Sequence, residues 1–547
     1  MVALIWSKID LDAEIFDLIH TNHQLKIYLL WVKESISEKI EIKDTSLQYE
    51  YKTHISSPSG IHSITADLLK NSCQIYRGAN SQIPIYYYKN ENIALVSNSL
   101  NVFSKLPVNL TINYKWIACG LSGIAPEAHE TYYESVKKLR PGSGLQLSNW
   151  EFCISDLKKD TDYQFDNLEH ALSQTVLKYI GINNGCELSG GLDSSAIAGW
   201  LSHHVSGKQI VLNAFNQGLK PGIQKQFFPY VDERNFAKLV ELFHKNLKIN
   251  IVDSFENNLI DDIKLAGSIL ASPALNSLSY FNIQLFRDAR RLNVSTLFSG
   301  FGGDEAISAR TYQYPQFLIS QHQWKELLQL SKKNPIYISK SIIKYFVKKP
   351  KSIPAWKFEK WDNTLITNEL KNKTKFEPYF FNNSSKLAEN FEQFLLNKIN
   401  HPAVKLRVEE NSSVARHFGI DYAYPLLDEQ LIYYYLNIPD YKKFNINPDR
   451  HLFRQAISKV VPPEIKNRTD KTSATIPNVY YRLLNEKENI IEIIHQAKQT
   501  EMAQIINLEK MLLLLKRAEL KNKGIHNGRL DLKNLFFALG LILFEKN

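Results

Sequence analysis

The chain has 547 residues, 44% hydrophobic and 22% charged, which excludes a fibrous or disordered protein and leaves room for two or more globular domains. Its formal net charge of +10 is modest for that length, so it marks no nucleic-acid binder and leaves only a weak bias toward anionic ligands. The four cysteines, Cys73, Cys119, Cys153 and Cys186, form no Cys-x-x-Cys pair, which argues against a zinc site or disulfide scaffold and fits a reducing compartment.

The opening Met-Val-Ala-Leu-Ile-Trp-Ser-Lys has too short an apolar run for a signal peptide. Residues 1–160 read as short strands and turns. Ile83–Tyr88 and Ile93–Ser97 flank Lys89-Asn90-Glu91-Asn92 as a hairpin. Trp116 to Gly120 reads as a short helix, and Val136–Leu147 as a turn entering a strand. This is an α+β domain rich in antiparallel sheet. The polar stretch Asp156–Gln164 is its linker to a second domain, 165–547.

From residue 165 the rhythm changes. The pattern predicts a helix over 168–180, a strand over 185–188, a helix over 194–203 and a strand over 210–215. A helix over 232–243 follows, with Asp232 and Glu233 in its first turn. A strand over 247–252, a helix over 281–292 and a strand over 296–298 complete the run. Strands alternating with helices predict a doubly wound parallel sheet, which binds ligands at the carboxyl ends of its strands. Beyond about residue 310 the chain reads as mainly helical. The basic, aromatic stretch 344–360 reads as a solvated helix end and linker. The longest apolar run, Leu535 to Phe544, is too short to cross a bilayer, so a cytoplasmic enzyme is expected.

Two glycine-rich stretches carry the chemistry. Cys186-Glu-Leu-Ser-Gly-Gly-Leu-Asp-Ser-Ser195 sits where a strand ends and a helix begins. Its glycines let backbone approach an anion closely. Leu188, Ser189, Gly190, Gly191, Asp193, Ser194 and Ser195 are candidate ATP contacts, because hydroxyls and N–H groups at a helix N-terminus can hold a pyrophosphate. No lysine follows the glycines, so the loop is not the Gly-x-x-x-x-Gly-Lys loop of kinases and GTPases. It resembles the pyrophosphatase-type loop of enzymes that split ATP into AMP and pyrophosphate, which implies adenylation. The second stretch, Leu297 to Glu305, adds Ser299, Gly300 and Gly303 as candidate contacts at the same sheet edge. Asp193 and Asp304 could converge on Mg²⁺, an ion that bridges carboxylates to phosphates. The plainer alternative for Asp304 is a turn or helix cap.

Together these stretches resemble the asparagine synthetase superfamily, which includes β-lactam synthetases and lasso-peptide cyclases. Further segments in the same order carry the likeness. They are Asp232-Glu233-x-x-x-Ala237, Arg407 to Ala415, Tyr424-Pro-Leu-Leu-Asp428, Arg450-His-Leu-Phe-Arg454, and Pro462-Pro-Glu-Ile465 with Arg468 and Lys471. Arg77-Gly78, Pro84-Ile-Tyr-Tyr87, Ser97 and Leu139-Arg-Pro-Gly142 are similar to the family's glutamine-amidotransferase-like domain. The fold so implied is α/β. It has an N-terminal α+β, amidotransferase-like domain of degenerate Ntn type, then a doubly wound, parallel-sheet ATP-pyrophosphatase synthetase domain with a helical C-terminus. ATP and Mg²⁺ are the implied cofactors.

Glutamine-hydrolysing members carry a cysteine after the initiator Met. Here that position is Val2, which offers no nucleophile. The attacking nitrogen then belongs to the substrate itself, as in β-lactam synthetases and lasso-peptide cyclases. In the resemblance Lys471 stabilises the adenylate and ring-closing transition states, as a fixed ammonium does in a dry pocket. Arg450 stands where many members have Lys and is expected to keep pyrophosphate binding. Glu410, or its neighbour Glu409, is a candidate for orienting the amine, with Tyr379 as a candidate partner; both glutamates as solvent-facing helix residues is the alternative.

The expected activity is macrolactam closure of a lasso precursor peptide, and the tail from Ile490 to Met511 resembles that of lasso cyclases. A leader peptidase and a leader-binding protein would be its partners, with no nucleic acid and no membrane span. Asparagine synthesis from ammonia or glutamine, a β-lactam-synthetase-like reaction on a small amino acid, and a non-catalytic ATP-binding pseudoenzyme stay open as alternatives.

Overall fold

The computed structural model describes the chain outside residues 1, 22–25, 32–37, 44–45, 53–60, 69, 80, 160, 208–210, 224–231, 306, 310–314, 316–317, 320–321, 334, 349–363, 376–390, 444–449, 471–474, 527–531 and 547. Lys471, Tyr379 and the side chains of the basic stretch 344–360 therefore lie outside the described residues.

Among the described residues, two antiparallel sheets of six strands form the N-terminal region. The first runs Lys137–Leu139, Ile85–Lys89, Ile93–Ser97, Val2–Ser7, Lys26–Trp31, Asp17–Thr21 in spatial order. The second runs Glu151–Asp156, Ser143–Ser148, Ser72–Arg77, Ile61–Asp67, Ser46–Lys52, Glu38–Lys43. The expected hairpin is present, with Tyr88 opposite Leu95. Strand alternation decides how the sheets pack. Val2, Leu4 and Trp6 point to one face of the first sheet and meet Leu47, Ile64, Ile75 and Leu145 of the second in one apolar core. Ala3 and Ile5 point the other way, onto Leu100, Val102 and Phe103.

The third sheet is parallel, with five strands ordered Leu247–Val252, Leu212–Gln217, Asn184–Glu187, Thr296–Phe298, Asp421–Ala423. Numbered along the chain, that order is 3-2-1-4-5. Strand order therefore reverses between Asn184–Glu187 and Thr296–Phe298, and a doubly wound sheet binds ligands at such a switch point. Both glycine-rich stretches leave from these two strands.

Several element boundaries differ from the sequence pattern for local reasons. The helix after the first loop is Leu192–Val205, so Asp193 lies in its first turn. The next helix begins at Arg234 rather than Asp232, because Asp232 turns back to pair with the Arg234 guanidinium. The strand expected over 210–215 is Leu212–Gln217. The helix expected over 281–292 is two short helices, Leu278–Phe281 and Ile283–Arg291, broken at Asn282. The three-residue strand Asp421–Ala423 lies within the stretch that reads as mainly helical.

The apolar run at the end of the chain is a core helix, Lys533–Glu545, buried along nearly its whole length. It packs on the N-terminal helix Tyr114–Leu121, with Phe537 5.7 Å from Trp116 and Phe544 5.5 Å from Tyr132. Among the described residues no helix is long and apolar enough to cross a membrane.

Helix Leu192–Val205 lies against the turn at Val460, and a Cβ built on Gly199 would sit 2.1 Å from the Val460 carbonyl oxygen. Backbone cannot yield there as a side chain could. Gly199→Ala is expected to cost about 1–3 kcal/mol of stability, read as a lower urea midpoint with unchanged slope.

Candidate active site

Strand Asn184–Glu187 ends in Leu188, whose N–H donates to the Phe215 carbonyl of the neighbouring strand at 2.8 Å. The chain then turns through Gly190 in the left-handed region (φ +72°). A Cβ at Gly190 would meet Phe236 Cβ at 2.3 Å and Ala237 N at 2.9 Å, so glycine is required for packing as well as conformation. The loop is tied to itself by hydroxyls. Ser189 N–H donates to Ser194 Oγ at 3.2 Å, and the Ser189 and Ser194 hydroxyls lie 3.0 Å apart. Gly191 caps the helix without a side chain, leaving its entrance open. The Ser195 hydroxyl is wholly buried and finds no hydrogen-bond partner among the described residues. A fourteen-residue helix with an open N-terminus is a site for an anion.

The second loop comes within van der Waals contact of the first. A Cβ at Gly300 would sit 2.5 Å from Ser194 N, and one at Gly303 2.4 Å from Asp193 Oδ1. Both glycines therefore serve the close approach of the two loops. Ser299 N–H bonds the Ala423 carbonyl at 2.9 Å, and its hydroxyl donates to Glu187. Gly302, at φ +103°, presses on Leu427 of the Pro425-Leu-Leu-Asp428 segment.

Charge gathers where the loops touch. Arg450 bridges the two carboxylates: one guanidinium nitrogen lies 3.3 Å from Asp193 Oδ2, and the other pairs with Asp304. Ser308, which the sequence reading passed over, donates to the other Asp193 oxygen and lies 3.3 Å from Arg450. Arg450 is buried and holds a left-handed backbone (φ 61°) at the start of helix His451–Ala456. A side chain adopts that conformation only where its surroundings impose it. Arg468, quoted above only as part of a motif, holds the first loop from behind. Its guanidinium donates to the Gly190 carbonyl at 2.9 Å and stacks 3.7 Å from the Phe236 ring. The signal for Ser308 was weak, since a serine five residues past Gly303 belongs to no motif.

Asp193 and Asp304 reach one cationic group, so their oxygens could also serve one Mg²⁺ shared with phosphates. Among the described residues no group of three or more His, Cys, Asp or Glu side chains could hold a metal by itself. Magnesium held by one or two carboxylates plus phosphate oxygens fits that donor set.

Glu410 lies elsewhere. It sits on helix Pro402–His417 and accepts backbone N–H bonds from Leu275 (3.0 Å) and Asn276 (2.8 Å). Among the described residues its hydrogen bonds go to Leu275 and Asn276 and not to the glycine loops. Burial pushes its carboxyl up to about 8, against the opposing pull of those two N–H groups. Its neighbour Glu409 behaves oppositely. Burial pushes it up as well, but Lys138 (2.5 Å) and Arg77 (2.7 Å) outweigh burial and hold it below the usual glutamate range. Neither side chain faces solvent, which corrects the alternative stated above. Both line a cavity of about 40 Å³ with Tyr86, Thr131 and Ser272. The helix does reach the site one turn earlier, where the Arg407 guanidinium stacks 3.7 Å over the ring of Phe301 in the second loop.

The segments quoted for their order in sequence thus surround the two loops: Phe236 and Ala237 at Gly190, Arg407 at Phe301, Leu427 at Gly302, Arg450 at Asp193 and Asp304, and Arg468 at Gly190. The family model for asparagine synthase matches residues 169–536 of the chain. The chain belongs to the asparagine synthase family. Among curated proteins, none matches it. Membership makes this protein an ATP-dependent ligase of asparagine synthetase type, forming amide bonds.

Glu410 keeps its proton in the folded state above the pH at which an unfolded glutamate loses it. Stability contributed there is full below about 4.5 and falls as pH rises toward about 8. Thermal unfolding of wild type and Glu410→Gln, compared across that window, is expected to diverge, with wild type losing more stability toward the alkaline end. Identical pH profiles would show that Glu410 titrates normally.

Proposed function

We propose that this family member adenylates a carboxylate with ATP, releasing pyrophosphate, and joins the acyl group to an amine of the same substrate, releasing AMP. The substrate class we assign is a ribosomally made precursor peptide, closed to a macrolactam as in lasso-peptide maturation. The observation that carries this reading is Val2. Its side chain is 1% exposed, within the apolar core between the two N-terminal sheets. Its N–H donates to Asn98 Oδ1 at 2.8 Å. Where glutamine-hydrolysing members present a thiol, this chain has a hydrocarbon in a dry core. The cysteines offer no replacement there. Burial pushes the thiols of Cys73, Cys119 and Cys186 up, so they stay protonated and unreactive, and Cys153 is exposed on an outer strand.

In this reading Ser189, Ser194 and the N-terminal N–H groups of helix Leu192–Val205 hold the phosphates being displaced. Asp193 and Asp304 would hold Mg²⁺, which when bound neutralises charge developing on the departing pyrophosphate. Arg450 exchanges its carboxylate partners for phosphate oxygens as the nucleotide enters. Lys471 supplies positive charge beside the acyl-adenylate. The residues 1–160 and 165–547 act as scaffold and synthetase domains, respectively.

ATP–pyrophosphate exchange tests the first step. Asp193→Ala and Asp304→Ala are each expected to lower exchange by about 100-fold or more at saturating Mg-ATP. Exchange near the wild-type rate in either variant would remove that carboxylate from the site and with it the shared Mg²⁺ assignment. With a precursor peptide present, the product is expected to be lighter by one water in the mass spectrum. Exchange driven by aspartate, with asparagine formed from ammonium, would overturn the peptide assignment. Val2→Cys is expected to release no glutamate from glutamine, because the new thiol would be enclosed in the sheet core. Glutamate release would show a functioning glutaminase pocket.

A further inference from the structure

The N-terminal sandwich has no nucleophile at position 2, yet it grips the synthetase region through one carboxylate. Arg77 ends strand Ser72–Arg77 of the second sheet, and Lys138 lies in strand Lys137–Leu139 of the first. Both cations converge on Glu409, one on each oxygen. Arg77 is wholly buried and is itself aimed by the Leu139 and Ser81 carbonyls. One carboxylate thus ties both sheets to helix Pro402–His417, and the Ser412–Gln82 contact repeats the attachment one turn later.

That helix is also what reaches the catalytic region. Two residues before Glu409, Arg407 stacks on Phe301, between the two glycines that set the second loop against the first. One residue after it, Glu410 fixes the backbone of Leu275 and Asn276. A slip or rotation of the helix would therefore shift both partners together. Stability alone does not account for the arrangement. Burying three ions incurs a desolvation cost that apolar side chains of similar volume avoid, whereas a buried ion cluster does fix one register.

We propose that the sandwich is a positioning scaffold for the synthetase site, with Arg77 and Lys138 as positioning residues that act through Glu409 on Arg407 and Glu410. This gives the region a role that needs no glutamine chemistry. It rests on the amide-forming reading only for what is positioned, and its test requires no acyl or amine substrate.

The experiment is hydrogen–deuterium exchange on the full-length protein, with Mg-ATP affinity measured by calorimetry alongside. In Glu409→Gln and Arg77→Met, the Leu275 and Asn276 amides are expected to exchange at least about tenfold faster. Amides of strands Asn184–Glu187 and Leu212–Gln217 should be unchanged, and Mg-ATP affinity should stay within about twofold, since the altered contacts lie at half-buried Leu275, Asn276 and Phe301 rather than at Ser189, Ser194 and Asp193. Arg77→Lys keeps the charge and is expected to restore most of the lost protection. Lys138→Met leaves the Arg77 pair in place and should give a smaller increase, which keeps the test available if Arg77→Met does not fold. Unchanged exchange at Leu275 and Asn276 in Glu409→Gln and Lys138→Met would overturn the proposal. So would acceleration spread evenly over the chain, because that would mark Arg77 and Lys138 as general stabilisers. Failure of pyrophosphate exchange in the wild type would count against the ligase reading alone.

Discussion

Two backbone turns that touch decide the shape of the synthetase region. Gly300 lies against the Ser194 amide and Gly303 against the Asp193 carboxylate, and a methyl group at either position would separate the loops. Everything charged in the site depends on that closeness. Arg450 can bridge Asp193 and Asp304 only because the strands carrying the loops are neighbours, and they are neighbours because strand order reverses between them. The fold creates the crevice, the glycines narrow it, and the carboxylates give it a sign.

The site divides into two supports of different character. The side proposed to hold phosphate is built from local structure: a strand end, a turn and a helix entrance, fastened by Ser189, Ser194 and Arg468. The other side is built from distant segments held by helix Pro402–His417. Its consecutive glutamates show how one turn of helix can serve two purposes. Glu409, paired with two cations, is held below the usual glutamate range, while burial outweighs the Leu275 and Asn276 N–H groups and the nearby Lys138 at Glu410 and pushes its carboxyl up to about 8. Adjacent carboxyls in one helix therefore carry different charges near neutral pH.

What the sequence revealed and what it concealed follow the same division. The phosphate side was legible because glycines, serines and a helix start at fixed spacing are a local signal. Ser189, Asp193, Gly300 and Asp304 could be named without any fold, and the parallel sheet followed from alternating periods. The strand Asp421–Ala423 was not legible, since three residues set no period. The partners of Glu409 were hidden for a different reason. Arg77 lies 332 residues away in the chain and Lys138 lies 271 away, and no spacing rule links charges across two sheets and a helix. Ser308 and Arg468 matter through what they touch, which only the packed chain shows.

The last helix has a consequence for how the chain is made. Lys533–Glu545 packs on Tyr114–Leu121, and Glu545 takes a hydrogen bond from Tyr132, 413 residues earlier. The helix Tyr114–Leu121 thus acquires its partner face at Phe537 only after more than four hundred further residues have been made. Contacts this far apart in sequence form late and slowly. Helix Lys533–Glu545 thus closes the same core as Trp116, Ile117 and Tyr132, joining the two most distant parts of that cluster.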